Sequence, residues 1–353
     1  MQNDEMIHRI TCLCGKTAQE VVLGADSAVL NLCHCMACRS ITGQLYSSYH
    51  LLRTRPLNID RFCEYRQSAV TSRYFCRTCG AHVFAHLKHT GQYFVAAGLI
   101  VEGSCRNKTI FHWRMSDTQD GGLTSFLPGE SKETVSACWL ELGSNNQPSD
   151  SAEIPPADDK SHSLRARCHC GGVVFYITLP DSSSIKPSSP WPDLLVPYYK
   201  SSSENAQDVK WWLRDRNTRY LAGTCACRSC RLASGFPIQT WAFIPKSNIV
   251  NASGSPLVFT ETTMQRYESS PDIYREFCNR CGATIFWHCK ERPLVMDVSV
   301  GLLQSNSGTR AEELLEWHTE RVSFAEMAKD RQLMQQLESG LKEWSEKQKI
   351  CGK

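Results

Sequence analysis

Short runs of β-branched and aromatic residues alternate with polar, turn-forming stretches along most of the chain. The segments YFVAAGLI (93–100), VVFYITL (173–179), TWAFIP (240–245) and LVMDVSVGL (294–302) each predict a strand. The C-terminus carries a different period. Met327, Met334, Leu337, Leu341 and Trp344 recur at the spacing of one helix face, which predicts an amphipathic helix within 326–353, packed against the second domain. Gly340 inside it costs about 1 kcal/mol against alanine and is expected to loosen the last turns. Nowhere does an apolar run approach the ~18 residues of a membrane helix. The pattern is that of a mainly β protein with a C-terminal helix.

A second, longer period lies over the first. A Cys-x-Cys-Gly cluster at Cys12, Cys14 and Gly15 recurs at Cys168, Cys170 and Gly171. A Cys-x-Cys-x-x-Cys-Arg cluster at Cys33, Cys35, Cys38 and Arg39 recurs at Cys225, Cys227, Cys230 and Arg231, each with a glycine five residues beyond, Gly43 and Gly235. FCRTCGAHVF (75–84) recurs as FCNRCGATIF (277–286), and a Gly-Leu pair follows each, at 98–99 and 301–302. Three clusters repeated in the same order mark a tandem duplication.

The copies differ in their loops. The spacing between the first two clusters is 36 residues longer in the second copy, and the excess is rich in serine and proline. It predicts a surface insertion near 181–210, partly ordered by Trp191, Leu194 and Leu195. The polar, proline-containing stretch 141–163 reads as a linker. The expected organisation is a first cysteine-cluster domain over 8–140, a second over 164–325, and a helix and tail over 326–353.

Composition narrows the chemistry. In 353 residues, 41 % are hydrophobic and 21 % charged, which suits a globular protein with real cores. Lys plus Arg exceed Asp plus Glu by three, which disfavours a nucleic-acid partner, and no membrane partner is expected. The 19 cysteines are the outlying number. MQNDEMIHRI holds no apolar run of signal-peptide length, so a reducing compartment is expected, cytoplasm or nucleus, where clustered cysteines act as metal ligands.

Each copy offers seven clustered thiols, and zinc sites divide into closed four-ligand structural centres and open three-ligand catalytic ones. The economical partition pairs Cys12 and Cys14 with Cys76 and Cys79, and Cys168 and Cys170 with Cys278 and Cys281, as structural sites. The triplets Cys33, Cys35, Cys38 and Cys225, Cys227, Cys230 remain as open sites. The competing reading closes each triplet with a histidine: His34, His82, His86 or His112 in the first copy, His288 or His318 in the second. Cys63, Cys105, Cys138, Cys289 and Cys351 have no repeated counterpart and read as ordinary thiols. Aromatics such as Trp113, Trp211 and Trp212 read as core.

The order C-x-C-G, C-x-C-x-x-C-R-x-x-x-G, F-C-x-x-C-G resembles the glutathione-dependent formaldehyde-activating enzyme family, which includes centromere protein V. TQDGGL (118–123) is similar to fungal members. Thr11 and Arg167 stand where that family usually has glycine. The resemblance implies two tent-like β domains with two zinc ions each, four per chain, and a structural role for the four-cysteine sites. It further implies catalysis at Cys33, Cys35, Cys38 and Cys225, Cys227, Cys230, with glutathione as substrate or co-substrate in carbon–sulfur lyase chemistry on formaldehyde. Arg39 and Arg231, directly after the triplets, are candidates for pairing with a substrate carboxylate. A non-enzymatic, zinc-stabilised protein-interaction module is the alternative. With all four sites filled, fourteen thiolates against four Zn²⁺ turn the formal +3 into about −3.

Overall fold

The computed structural model describes residues 7–24, 28–101, 109–132 and 163–351. The expected linker, Cys105 and Cys138 lie outside them, as does the Cys351 side chain.

The duplication is visible element by element. In the first half, the hairpin of Ile7–Ile10 and Gln19–Val22 precedes the strand Val29–Cys33, which runs parallel to Thr109–Trp113. A short helix follows, α1 (Met36–Thr42). A five-stranded antiparallel sheet of Tyr49–Leu51, Cys63–Arg66, Thr71–Phe75, His82–Leu87 and Gln92–Ala96 completes the half. The second half repeats this plan. Ser163–Arg167 pairs with Val174–Thr178, and Arg219–Cys225 pairs in parallel with Leu315–Trp317. The helix α2 (Arg228–Ser234) follows, and Gln239–Pro245, Met264–Ser270, Ile273–Cys278, Thr284–Cys289 and Arg292–Ser299 complete the larger sheet.

Two of the expected strands end early. YFVAAGLI is a strand only to Ala96 and then a 3₁₀ turn, Ala97–Leu99; LVMDVSVGL stops at Ser299 and turns through Val300–Leu302. The reason is a junction between the halves. The Gly98 N–H donates to the Gly235 carbonyl at 2.8 Å, and the Gly301 N–H to the Gly43 carbonyl at 3.0 Å. Gly43 and Gly235 are the left-handed caps of α1 and α2 (φ 76° and 91°), a conformation that glycine alone enters without cost. Each Gly-Leu pair therefore docks on the helix end of the other copy. Gln44 Nε2 donates to Gln239 Oε1 at 2.7 Å, and Tyr46 bridges to the backbone of Ile238. The buried apolar residues of both halves form one continuous core.

TQDGGL belongs to this junction as well. Asp120 accepts from Gly122 N at 2.8 Å, Thr309 Oγ1 at 3.1 Å and Arg310 N at 2.7 Å. Arg310 donates in turn to Ser125 and to backbone carbonyls of the same loop.

The C-terminal helix α3 (Arg331–Cys351) is longer and better anchored than the pattern suggested. Asp330 caps it through Leu333 N at 2.9 Å. It packs on both halves rather than on the second alone. Trp344 meets Phe126 edge-on at 5.1 Å, while Glu338 accepts from Val322 N at 3.2 Å. A Cβ on Gly340 would stand 2.1 Å from the Phe126 carbonyl oxygen, so this glycine marks close packing rather than fraying. Met327 lies outside the helix, in the turn Ala325–Met327, and is half exposed. No helix is long and apolar enough to cross a membrane among the described residues.

Candidate metal centre

Each cysteine cluster sits in a turn shaped by its motif. Gly15 N donates to Cys12 O and Gly171 N to Cys168 O, closing the Cys-x-Cys-Gly loops. Gly80 N donates to Cys76 O and Cys76 N to Ala81 O, with the same pair at Gly282, Cys278 and Ala283. These tight turns aim two thiols from each loop at one point. Cys12, Cys14, Cys76 and Cys79 bring their sulfurs within 4.8 Å of one another, as do Cys168, Cys170, Cys278 and Cys281. Sulfur separations of 3.3 Å (Cys12–Cys14), 3.5 Å (Cys14–Cys76), 3.6 Å (Cys168–Cys170) and 3.5 Å (Cys170–Cys278) are far from the ~2.05 Å of a disulfide. They approach the ~3.8 Å edge of a tetrahedron with Zn–S bonds of ~2.3 Å. Donor set and geometry fit zinc.

The triplets are built differently. Cys33 and Cys225 end their strands, and Cys35 and Cys227 are the N-caps of α1 and α2. The Cys35 sulfur accepts from Cys38 N at 3.4 Å and the Cys227 sulfur from Cys230 N at 3.1 Å. A strand end, a helix cap and the first turn of one short helix thus each present one sulfur of a triplet. Each set lies within 4.8 Å and is buried, and no histidine, carboxylate or further thiol joins either among the described residues.

The histidines weighed as fourth ligands are engaged elsewhere. His34 and His112 bond each other at 2.9 Å and reach the carbonyls of Leu45 and Leu127. Burial pushes them down to about 3 and about 4. His82 bonds the Ile41 carbonyl, His86 stacks on Tyr93 and His288 bonds Glu276. Burial holds His318 down at about 4.

Arg39 and Arg231 are engaged with backbone carbonyls. Arg39 donates to the carbonyls of His34 and Asp117, and Arg231 to the carbonyl of Gly98 across the junction. The cations that face the triplets are Arg73 and Arg275, both buried. Arg73 Nη2 lies 3.5 Å from the Cys38 sulfur, and Arg275 Nη2 lies 3.6 Å from the Cys230 sulfur. Hydrogen bonds from Cys33 and Cys35, then the Arg73 charge and the Ser47 hydroxyl, hold the Cys38 thiol well below its ordinary value. Cys225, Cys227 and Arg275 do the same for Cys230. The signal was present in the sequence: each arginine stands three residues before the first cysteine of the third cluster in its copy.

The closed and open sites are coupled crosswise. Leu13, between Cys12 and Cys14, donates its N–H to the Leu232 carbonyl of α2; His169, between Cys168 and Cys170, donates to the Ser40 carbonyl of α1. Each four-thiol loop thereby props the triplet helix of the other half.

A family model described as glutathione-dependent formaldehyde-activating enzyme matches residues 7–115 and 208–320. The chain belongs to this family. The second match begins at the end of the insertion, although the structure carries Cys168 and Cys170 from before it to the site of Cys278 and Cys281. No curated protein and no solved structure matches the chain significantly.

The second triplet adjoins a cavity of about 670 Å³, which Cys225, Cys227, Cys230 and Arg275 line. The insertion, much of it exposed as expected, forms one wall of the cavity through Pro190, Pro192, Asp193, Leu194 and Tyr198. Asp193 is the fastening. It accepts from Phe324 N at 2.7 Å, Ser323 Oγ at 3.0 Å and Tyr198 N at 3.0 Å, and pairs with Arg321 at 3.3 Å. Across the cavity, Arg292 pairs with Asp297 at 2.6 Å, and burial pushes that carboxyl up to about 6. Cys289, one of the thiols read as ordinary, lines the same space. No motif or repeat pointed to Asp193, Arg292 or Asp297, because all three belong to what the second half does not share with the first.

Proposed function

We propose that the chain is a zinc-dependent carbon–sulfur lyase that adds a thiol, glutathione or a relative, reversibly to formaldehyde or a related carbonyl compound. The observation that carries this reading is the cavity against Cys225, Cys227 and Cys230. Three thiolate donors there leave one tetrahedral position for a ligand from the cavity. Zinc held there would supply positive charge that favours the thiolate form of an incoming thiol near pH 7. The protein's own part is electrostatic and geometric. Three thiolates on a divalent cation carry a net −1, and the buried Arg275 guanidinium balances it. Trp241 and Trp287 give the cavity an aromatic wall.

In the forward direction the S–H bond breaks as the carbon–sulfur bond forms, the carbonyl π pair moves to oxygen, and the thiol's proton ends on that oxygen. The Asp297 carboxyl, in the cavity wall and held near 6 by burial, is suited to give and retake that proton. The triplet Cys33, Cys35 and Cys38 makes the equivalent metal site in the first half.

Exchange of carbon-13 formaldehyde with glutathione, followed by NMR, tests the reading. An exchange rate well above that in buffer is expected; no acceleration contradicts the named reaction.

A further inference from the structure

We propose that the cavity beside the second triplet selects a planar aromatic carbonyl compound bearing an acidic group, rather than a one-carbon aldehyde. Resting on the triplet as the reacting centre, this assigns the electrophile by the chemistry of the walls. A volume of about 670 Å³ lies in the range that encloses a drug-sized ligand, whereas formaldehyde brings two heavy atoms. Trp241, Phe243, Trp287, Tyr198 and Phe324 all contribute to the lining. The side chains of a polar tripeptide make little use of five aromatic rings; a flat aromatic ring system does.

The acidic group is called for by two arginines. Arg292 is 6 % exposed and Arg275 4 %, and both line the cavity. Arg292 spends Nη2 on Asp297, and its guanidinium carbon lies 5.1 Å from the Trp287 ring centre and 5.5 Å from that of Phe243. Among the described residues its Nη1 has no acceptor. Arg275 spends Nη2 on the Cys230 sulfur, and its Nε and Nη1 have no acceptor among the described residues. Buried N–H groups of a cation are costly to leave unpaired, so a carboxylate or phenolate from the ligand is the natural acceptor. Strand register supports specificity over scaffolding. Trp287 and Asp297 face each other where the first half has Ala85 and Phe94, and Phe243 stands where it has Leu51. The frame is kept and these side chains are changed.

The step on such a substrate needs no further reagent. The thiol sulfur bonds to the formyl carbon, the carbonyl π pair goes to oxygen, and the thiol's proton ends on that oxygen.

The test uses the zinc-loaded full chain and 2-naphthoate as probe. Calorimetry is expected to show one site per chain, with uncharged 2-naphthamide and the Arg292→Gln variant each at least tenfold weaker. Should Arg292→Gln fail to fold, a footprint on the unaltered protein decides: 2-naphthoate is expected to slow iodoacetamide labelling of Cys289 at least fivefold, mapped by peptide mass spectrometry. With glutathione present, 6-formyl-2-naphthoate should react with kcat/KM at least tenfold above formaldehyde. No binding, or binding that neither needs the carboxylate nor protects Cys289, overturns the assignment. Accelerated formaldehyde exchange without naphthoate binding overturns it and leaves the lyase reading standing. Naphthoate binding without any thiol addition supports the site and overturns the lyase.

Discussion

The two triplets share their skeleton and differ in everything around it. Cys35 and Cys227 cap equivalent helices, Gly43 and Gly235 end them, and Arg73 and Arg275 lie 3.5 and 3.6 Å from the last sulfur. Around the first triplet stand His34, bonded to His112, Ser47, whose hydroxyl donates to Cys38 at 3.0 Å, and Tyr49 under the Arg73 guanidinium. Around the second, Ala226 takes the place of His34, Gln239 that of Ser47 and Trp241 that of Tyr49. The insertion closes a cavity there. The cysteines and backbone caps are kept between the copies, and the side chains around them are changed.

The largest effect should treat the halves alike. Cys76→Ser and Cys278→Ser each remove a thiolate from a four-cysteine site, and each should lower stability by at least about 3 kcal/mol, roughly 4 °C in Tm for one transition of the whole chain. Because each loop props the other half's helix, calorimetry should show one transition lowered rather than one half melting alone. A change confined to a single half would break the symmetry of the frame.

The next effect should separate the halves. Cys230→Ser should reduce thiol–carbonyl exchange by about 100-fold, and Cys38→Ser should leave most of it. Equal losses would mean that the cavity does not mark the reacting centre. A smaller effect belongs to the insertion. Asp193→Ala leaves the buried N–H of Phe324 and the Ser323 hydroxyl without their acceptor, at about 2 kcal/mol. Limited proteolysis should then cut within 181–210 while the first half stays intact; unchanged resistance would show that Asp193 is not the fastening.

The smallest effect is a pH dependence in the first half. Burial lowers His112 to about 4 from an ordinary 6.5, so the unfolded chain binds the extra proton first as pH falls. The neutral histidine contributes fully above pH 6.5, and that contribution is lost as pH drops from 6.5 toward 4, about 1 kcal/mol over the first unit. Urea midpoints for His112→Gln should therefore fall less steeply over that window than those of the parent; parallel slopes would remove His112 from the account.

Much of this was legible in the sequence because thiol chemistry is local. The motifs bring cysteines into pairs and triplets by spacing alone, and the duplication supplies an internal control on every cluster. The same control marks Arg73 and Arg275, whose offset from Cys76 and Cys278 repeats, yet an arginine within a strand carries no signal until its neighbours are known. The junction was hidden for a different reason. Gly98 and Gly301 read as strand interior, and only the opposite half's helix cap explains why the strands stop. Asp193, Arg292 and Asp297 share a cavity only because an unrepeated insertion folds beside one sheet, which no periodicity records. Gly340 shows the limit of propensity: the residue that weakens an isolated helix lets this one pack against Phe126.

The partition of fourteen cysteines into two closed and two open sites is tested most directly by counting zinc. Mass spectrometry of purified, folded chain should give four zinc atoms. Replacing Cys33, Cys35, Cys38, Cys225, Cys227 and Cys230 together by serine should leave two, with the far-ultraviolet dichroism of the parent retained. Two zinc atoms in the parent, or loss of the fold in the variant, would contradict the account.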